Sequence, residues 1–292
     1  MEVLENAFLK VSVSAKGAEL ISIVNKEDGT EHIWQGNPDF WGYHAPHLFP
    51  IVGGLQNDSF LFNDKSYVLK RHGFARTSTF RKIEAAPQQA IFRLRFDEET
   101  LKVYPFKFEF QVIYHLKGRQ LDILYKVINM DAGDIYFSVG AHPAFNVPMQ
   151  TGETFEDYSL IFEGQNEALF THQLSDSGLF NGKTVAVPLQ NQQLDLNYNL
   201  FQKDALVFKH IEAKAVTLKS RKSNKLLRVV YPHFEHLGIW TKENAPFLCI
   251  EPWLGIADNA NTSGKIEEKE GKRVGEKKQK RGVLKNLFFA EV

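Results

Sequence analysis

Along most of the chain, hydrophobic and polar positions alternate with a period of two, in short runs. Leu9, Val11 and Val13 alternate with Lys10, Ser12 and Ser14, and Phe106-Lys107-Phe108-Glu109-Phe110-Gln111-Val112 repeats the pattern. Ile91-Phe92-Arg93-Leu94-Arg95-Phe96 does so after its first residue. Such a period turns one face of an extended segment to a core and the other to water. Turn residues punctuate the runs: Gly17 before Leu20-Ile21-Ser22-Ile23-Val24, Asp28-Gly29 before a short strand at His32-Ile33-Trp34, and Lys117-Gly118-Arg119-Gln120 before Leu121 to Asn129. A hairpin is expected from Phe60 to Leu69. Later strands are expected at 135–139, 160–162, 184–189, 204–209, 215–220, 225–231, 237–241 and 247–253, and Val283-Leu284 with Leu287 to Ala290 would close the sheet. No long amphipathic helical stripe separates them. The predicted class is therefore all-β and antiparallel rather than βαβ. With no repeat, linker or boundary, residues 1–292 read as a single domain.

Four places break the pattern. Residues 37–50 mix Trp41, Tyr43, His44, His47 and Phe49 with Pro38, Gly42, Pro46 and Pro50, as do segments that plug the end of a sandwich or line a ligand site. Arg71-His72-Gly73-Phe74-Ala75-Arg76 sets a histidine and two arginines after a strand, either as solvated loop charges or as groups converging on a hydroxyl-rich or anionic ligand. In Ser138-Val139-Gly140-Ala141-His142-Pro143-Ala144-Phe145-Asn146-Val147-Pro148 a strand stops at glycine, and Pro143 holds His142 extended. His142 is then either a structural histidine or an acid or base poised near neutrality. Finally, Phe247-Leu248-Cys249-Ile250 is apolar until Glu251, which meets Pro252. A carboxylate ending an apolar strand is a surface group or, if desolvated, a base with a raised pKa.

The totals narrow the function. Across 292 residues the formal net charge is zero, which argues against nucleic acid or an acidic membrane as partner. One cysteine, Cys249, excludes an internal disulfide and a cysteine metal cluster and suits a reducing, cytoplasmic setting. The N-terminus has no signal-peptide pattern, and no apolar run reaches membrane-spanning length. No phosphate-cradling glycine motif or helical metal-ligand pair is present, so no cofactor and no metal are expected. From Lys265 to Arg281 eight Lys/Arg face four Glu, which reads as a mobile, solvated segment.

Taken together, Lys16-Gly17-Ala18-Glu19-Leu20, Trp34-Gln35-Gly36, Leu48-Phe49-Pro50-Ile51-Val52-Gly53, Arg71 to Arg76, Gly140 to Asn146 and Glu251-Pro252-Trp253 resemble, in order and spacing, the aldose 1-epimerase (galactose mutarotase-like) superfamily, and within it the LacX-like bacterial branch. The resemblance runs over nearly the whole chain. It implies a large antiparallel β-sandwich of the supersandwich type, with a sugar bound in an open cleft over one sheet. The implied reaction interconverts the α and β anomers of an aldohexose. His142 matches the general acid that protonates the ring oxygen, Glu251 the general base at the C1 hydroxyl, and His72 a second histidine hydrogen-bonded near the reacting end. Asp204 and Asn57 fall where substrate-binding residues are found. Bottom-up chemistry agrees: ring opening needs one donor and one acceptor across O5–C1–O1, and nothing else.

Two departures stand out. Gly54 occupies a position where the better-known galactose mutarotases carry arginine, and the chain after Gly271 does not read as the family's clean closing strand. Arg71 and Arg76 resemble a branch that handles sugar phosphates, so the expected ligand is a small sugar or sugar phosphate, bound by a monomer or homodimer. Hexose-6-phosphate 1-epimerase is the first alternative. A non-catalytic carbohydrate-binding or regulatory protein on the same fold and a metal enzyme using His72, His142 and Glu251 are the rivals. Trp34, Trp41, Phe74, Phe145 and Trp253 are candidate platforms for apolar sugar faces.

Overall fold

The computed structural model describes residues 1–165, 168–276 and 283–291, and it is built almost wholly of antiparallel strands. A nine-stranded sheet runs, in spatial order, Gln193–Asp195, Tyr158–Phe162, Ala215–Ser220, Leu226–Val230, Val283–Glu291, Gln120–Asn129, Phe108–Lys117, Gln89–Arg95, Arg81–Ala86. A second sheet runs Leu206–Phe208, His236–Trp240, Phe247–Leu254, Val139–Ala141, His47–Leu48, with Ala144–Asn146 also pairing on Phe247–Leu254. Glu2–Glu5, Leu9–Val13 and Leu20–Asn25 form a three-stranded sheet. The one α-helix among the described residues, Glu98–Val103, is six residues long and closed by an Asp97–Thr100 capping box. No described helix is long and apolar enough to cross a membrane.

The two large sheets share one core. Phe108–Lys117 alternates buried and half-buried along its length, as its sequence pattern requires. Its inward Phe108 and Phe110 pack on Phe49, whose ring stacks on Phe110 at 4.5 Å. His47, from the second sheet, hydrogen-bonds Tyr114 (2.8 Å) and Tyr125 of the first. Phe247–Leu254 is buried on both faces. Leu248, Ile250 and Leu254 enter the shared core, whereas Phe247 and Cys249 pack on Trp34 on the other side, and Glu251 and Trp253 line a pocket there. A strand read as uniformly apolar up to Glu251 is thus two half-faces with different tasks.

Three expectations need correction. His32-Ile33-Trp34 forms only one isolated bridge, Ile33 to Phe145, next to a bridge from Glu31 to Val24, because the Glu31 carboxylate takes the N–H groups of Ile23 and Ile33 (both 2.9 Å) that a ladder would use. The segment from Lys265 is not a mobile charge run over its described part. Ile266 is buried, Lys269 is buried against Asp258 at 2.6 Å, and Arg273–Gly275 pairs with Ile135–Phe137. Burial of the aliphatic stem and a fully paired ammonium overrule the solvated reading; residues 277–281 lie outside the described residues. The departure read after Gly271 does not hold, whereas the final strand expected from Val283-Leu284 and Leu287 to Ala290 does: Val283–Glu291 sits inside the nine-stranded sheet, between Gln120–Asn129 and Leu226–Val230.

Several histidines are buried in the neutral form, His32 among them. Burial pushes it down to about 4, and neither ring nitrogen has a hydrogen-bond partner. The unfolded chain binds that proton near pH 6.5, so this stability is complete above pH 6.5 and is lost as pH falls towards 4. Replacing His32 by Leu is expected to raise stability relative to wild type by about 2 kcal/mol more at pH 5 than at pH 8. Denaturant melts at the two pH values check this.

Candidate active site

The second sheet lays its outer face open to an elongated pocket of about 240 Å³. Strand residues Val207, Trp240, Glu251 and Trp253 form its floor with His142, and Arg71, His72, Arg76, Phe180 and Asp204 form its walls and mouth. His142, Glu251, His72, Arg71, Arg76 and Asp204, far apart in sequence, are brought together. Asn57 is not among the lining residues. It is exposed in the turn Gln56–Asp58 with φ of 56°, a left-handed position that asparagine tolerates, so it serves the chain's direction instead.

The floor depends on a break in the ladder. Val139–Ala141 pairs with Leu254 and Trp253, Ala144–Asn146 pairs with Cys249 to Phe247, and His142-Pro143 fills the gap. The Ile250 N–H reaches the Pro143 carbonyl at 3.2 Å, so by the period of two the ring nitrogen of Pro252 faces the same gap. A proline that meets no acceptor costs the strand nothing there. Phe247–Leu254 therefore runs on through Pro252, and Glu251 stands within it rather than at its end, correcting the sequence expectation. Across the gap, His142 Nε2 lies 3.2 Å from Glu251 Oε2, an ion-pair distance without the alignment of a hydrogen bond.

Both groups are forced towards neutrality. Burial lowers His142 to about 3, with Arg76 adding to the shift. Burial, then the charge of Asp204, raises Glu251 well above the carboxylate range. His142 Nδ1, Glu251 Oε2 and Trp253 Nε1 are buried without hydrogen-bond partners. An unpartnered buried polar atom costs about 1–3 kcal/mol, so three together at one pocket floor mark a place where a polar ligand completes the structure.

His72 is held differently. Its φ is 67°, an uncommon position for a residue with a Cβ, fixed by two reciprocal bonds with Gly53: His72 N–H to the Gly53 carbonyl at 3.0 Å, and Gly53 N–H to His72 Nδ1 at 3.1 Å. Because Nδ1 accepts, a neutral ring carries its proton on Nε2. Burial, followed by His142, Arg76 and Arg71, keeps that ring neutral. It is a fixed donor beside His142 and Glu251, 5.8 Å from the His142 ring.

Aromatics enclose the pair. Trp41 stacks on the His142 ring at 4.8 Å and 22°, and Trp240 meets it edge-on at 6.0 Å. Of the five aromatics proposed from sequence, Trp41 and Trp253 line the pocket. Phe145 is fully buried, Phe74 packs on Phe49 and Phe108, and Trp34 packs on Phe247, so these are core. Trp240 was missed. Its signal was present in Gly238-x-Trp240, which the period of two places on the face opposite Leu237 and Ile239. Phe180 and Leu174 come from a distant hairpin and carried no local signal.

At the mouth, Arg71 donates to the Ser177 carbonyl at 3.3 Å and Arg76 to the Arg71 carbonyl at 3.1 Å. Among the described residues neither arginine is ion-paired.

Trp253 lies in a trough of two glycines on the neighbouring strands. A Cβ at Gly140 would stand 2.7 Å from its Cδ1, and one at Gly238 2.6 Å from its six-membered ring. Gly238→Ala is expected to tilt Trp253 and to cost about 1–3 kcal/mol of stability by overpacking. Near-UV circular dichroism and thermal melts check it; an unchanged near-UV spectrum with an unchanged melting temperature overturns it.

Comparison with known proteins agrees with this geometry. The family model described as aldose 1-epimerase matches residues 2–271. Two LacX proteins of Lactococcus lactis subsp. lactis, one chromosomal and one plasmid-borne, are each 36% identical over 275 residues, covering 91% of both chains. A galactose mutarotase related enzyme from Lactobacillus acidophilus superposes with a TM-score of 0.90 at 34% identity, over 99% of this chain and 95% of the other. A galactose mutarotase-like protein from Lactobacillus casei gives 0.91 at 32% identity, over 100% and 99%. The all-β supersandwich reading therefore holds, and the chain belongs to the aldose 1-epimerase family.

Proposed function

We propose that the protein is a mutarotase: it interconverts the α and β anomers of an aldohexose, with His142 as proton donor to the ring oxygen and Glu251 as proton acceptor from the C1 hydroxyl. The observation that carries this reading is the 3.2 Å approach of His142 to Glu251 at the pocket floor. O1 and O5 both hang on C1, so a donor and an acceptor that are close neighbours can serve both at once.

The proton balance closes on these two residues. Glu251 takes the O1 proton, the C1–O5 bond breaks, and O5 takes the proton of His142. The open-chain aldehyde rotates about C1–C2, and reclosure on the other face reverses both transfers. The pair holds one proton throughout. Opening converts protonated His142 and ionised Glu251 into neutral His142 and protonated Glu251, the forms that burial favours in the empty pocket. His72 is the fixed donor to a sugar oxygen, Asp204 accepts from a hydroxyl at the mouth, and Trp41, Trp240 and Trp253 offer faces to apolar sugar carbons. None of these steps asks for a redox group.

One observation favours a narrower substrate. Arg71 and Arg76 line the mouth without a carboxylate partner among the described residues, which suits an anionic sugar such as a hexose 6-phosphate.

Anomer exchange followed by NMR or polarimetry tests the reading. His142→Ala and Glu251→Gln are each expected to slow exchange by about 100-fold or more. Wild-type rates in both variants refute the mechanism, and sugar binding without exchange in the wild type points to a silent binder. For phosphorylated sugars, Arg71→Ala or Arg76→Ala is expected to raise KM by roughly 10–100-fold. Equal KM changes with free and phosphorylated sugars refute the anionic substrate.

The pH profile gives a further check. Activity needs one proton on the pair. A second proton binds only as pH falls towards the lowered value of His142, about 3, and the last leaves only above the raised value of Glu251. The acid limb of kcat/KM is therefore expected well below 6.5, with activity retained at pH 5. An acid limb at 6.5 would show an ordinary solvated histidine.

A further inference from the structure

Cys249 stands two residues before Glu251 on Phe247–Leu254, so both side chains leave the same face of the strand. The thiol is fully buried in a bed of Trp34, Ala144, Ala245 and Phe247. Its sulfur, a ring nitrogen of His142 and a carboxylate oxygen of Glu251 all lie within 4.8 Å of one another. Glu251 is 2% exposed, and its Oε2 has no hydrogen-bond partner. One sulfur, one nitrogen and one oxygen around a common point is the donor set of a borderline-soft divalent cation, which binds at about 2.3 Å to sulfur and about 2.0–2.2 Å to nitrogen and oxygen. It is a poor set for Mg²⁺ or Ca²⁺, which want oxygens alone. Three protein ligands leave a fourth coordination position for water, and His142 and Glu251 both line the pocket.

We propose that His142, Cys249 and Glu251 form a binding site for Zn²⁺ and like cations, and that the bound cation inhibits the protein by occupying the lone pairs the sugar reaction uses. The site stands on the geometry alone; the inhibition rests also on the mutarotase reading. The chemistry is ligand exchange without redox. The cation bonds to the thiolate, to the carboxylate and to a lone pair of neutral imidazole, and the thiol and carboxyl protons pass to solvent. Zn²⁺ and sugar then compete for one floor.

Two measurements test this separately. Co²⁺ added to the wild-type protein is expected to give a near-ultraviolet thiolate-to-metal absorption band that is absent in Cys249→Ala and displaced by Zn²⁺. Zn²⁺ titrated by calorimetry is expected to bind Cys249→Ala and Cys249→Ser at least about tenfold more weakly, since even losing an outer-shell partner costs 10–100-fold. In the second measurement, Zn²⁺ slows anomer exchange competitively with sugar, EDTA restores it and Mg²⁺ has no effect. Cys249→Ala, with near-UV circular dichroism confirming its fold, exchanges anomers at the wild-type rate and resists Zn²⁺. No thiolate band in the wild type, or equal Zn²⁺ affinity in all three proteins, overturns the site. A band without slowed exchange, or with faster exchange, overturns the inhibition and leaves the site standing. A protein that shows the band but exchanges no sugar refutes the mutarotase reading instead.

Discussion

The interrupted ladder at His142-Pro143 is the constraint on which the site depends. The register is the same on both sides of it, with Val139 opposite Leu254, Gly140 opposite Trp253 and Ala144 opposite Cys249, and this sets His142 opposite Glu251. On its other edge His142 donates its N–H to the Pro46 carbonyl (3.1 Å) and Ala144 to the His44 carbonyl (2.9 Å), extending the pairing of Gly140 with Leu48. The ladder to Phe247–Leu254 is incomplete because Pro143 has no N–H to give. The arrangement does two things. It holds the His142 ring against Glu251, and it ties the segment carrying Trp41 to the sheet, so that the indole stacks on that ring. The aromatic loop thus both plugs and lines, the two uses its composition left open.

The electrostatics follow from relative magnitudes. Desolvating a carboxylate and an imidazolium costs several kcal/mol each, whereas a tryptophan face returns about 0.5–2 kcal/mol to a cation upon it. Burial therefore wins in the empty pocket, and the pair is neutral. A polyol changes the balance, because its hydroxyls replace the missing water around Glu251 and fill the three unpartnered polar atoms. In the proposed reaction charge separation is then supported by the ligand that needs it, and each ring opening would return the pair to its neutral state.

How much of this was legible in the sequence follows from the range of each interaction. Strand periodicity is local, so Phe108–Lys117 and Phe247–Leu254 could be read directly, and the prolines and glycines around His142 flagged an interruption. What the interruption faced could not be read, because Glu251 is more than a hundred residues away in the chain. Resemblance, not periodicity, joined the two. The segment after Lys265 was misread for a related reason: charge density signals solvation unless a distant acid such as Asp258 neutralises a buried lysine. Asn57 failed in the opposite way. Its residue type suits a sugar ligand and a left-handed turn equally well, and only φ distinguishes them.

Gly54 turns from an absence into part of the design of the mouth. The resemblance to galactose mutarotases implies an arginine there. Here a Cβ on Gly54 would lie 3.9 Å from Arg71 Nε, and one on Gly178 would overlap Arg71 Nη2 at 1.4 Å. Two glycines from separate loops thus flank a single guanidinium. Solvated surface arginines need no such clearance, since their side chains can turn aside into water. The cation is not missing at this end of the pocket; it arrives from position 71, with Gly178 leaving no alternative occupant of its path. A Cβ at 54 would make only ordinary contacts, so it is Gly178 that clears the path of Arg71 to the mouth of the pocket.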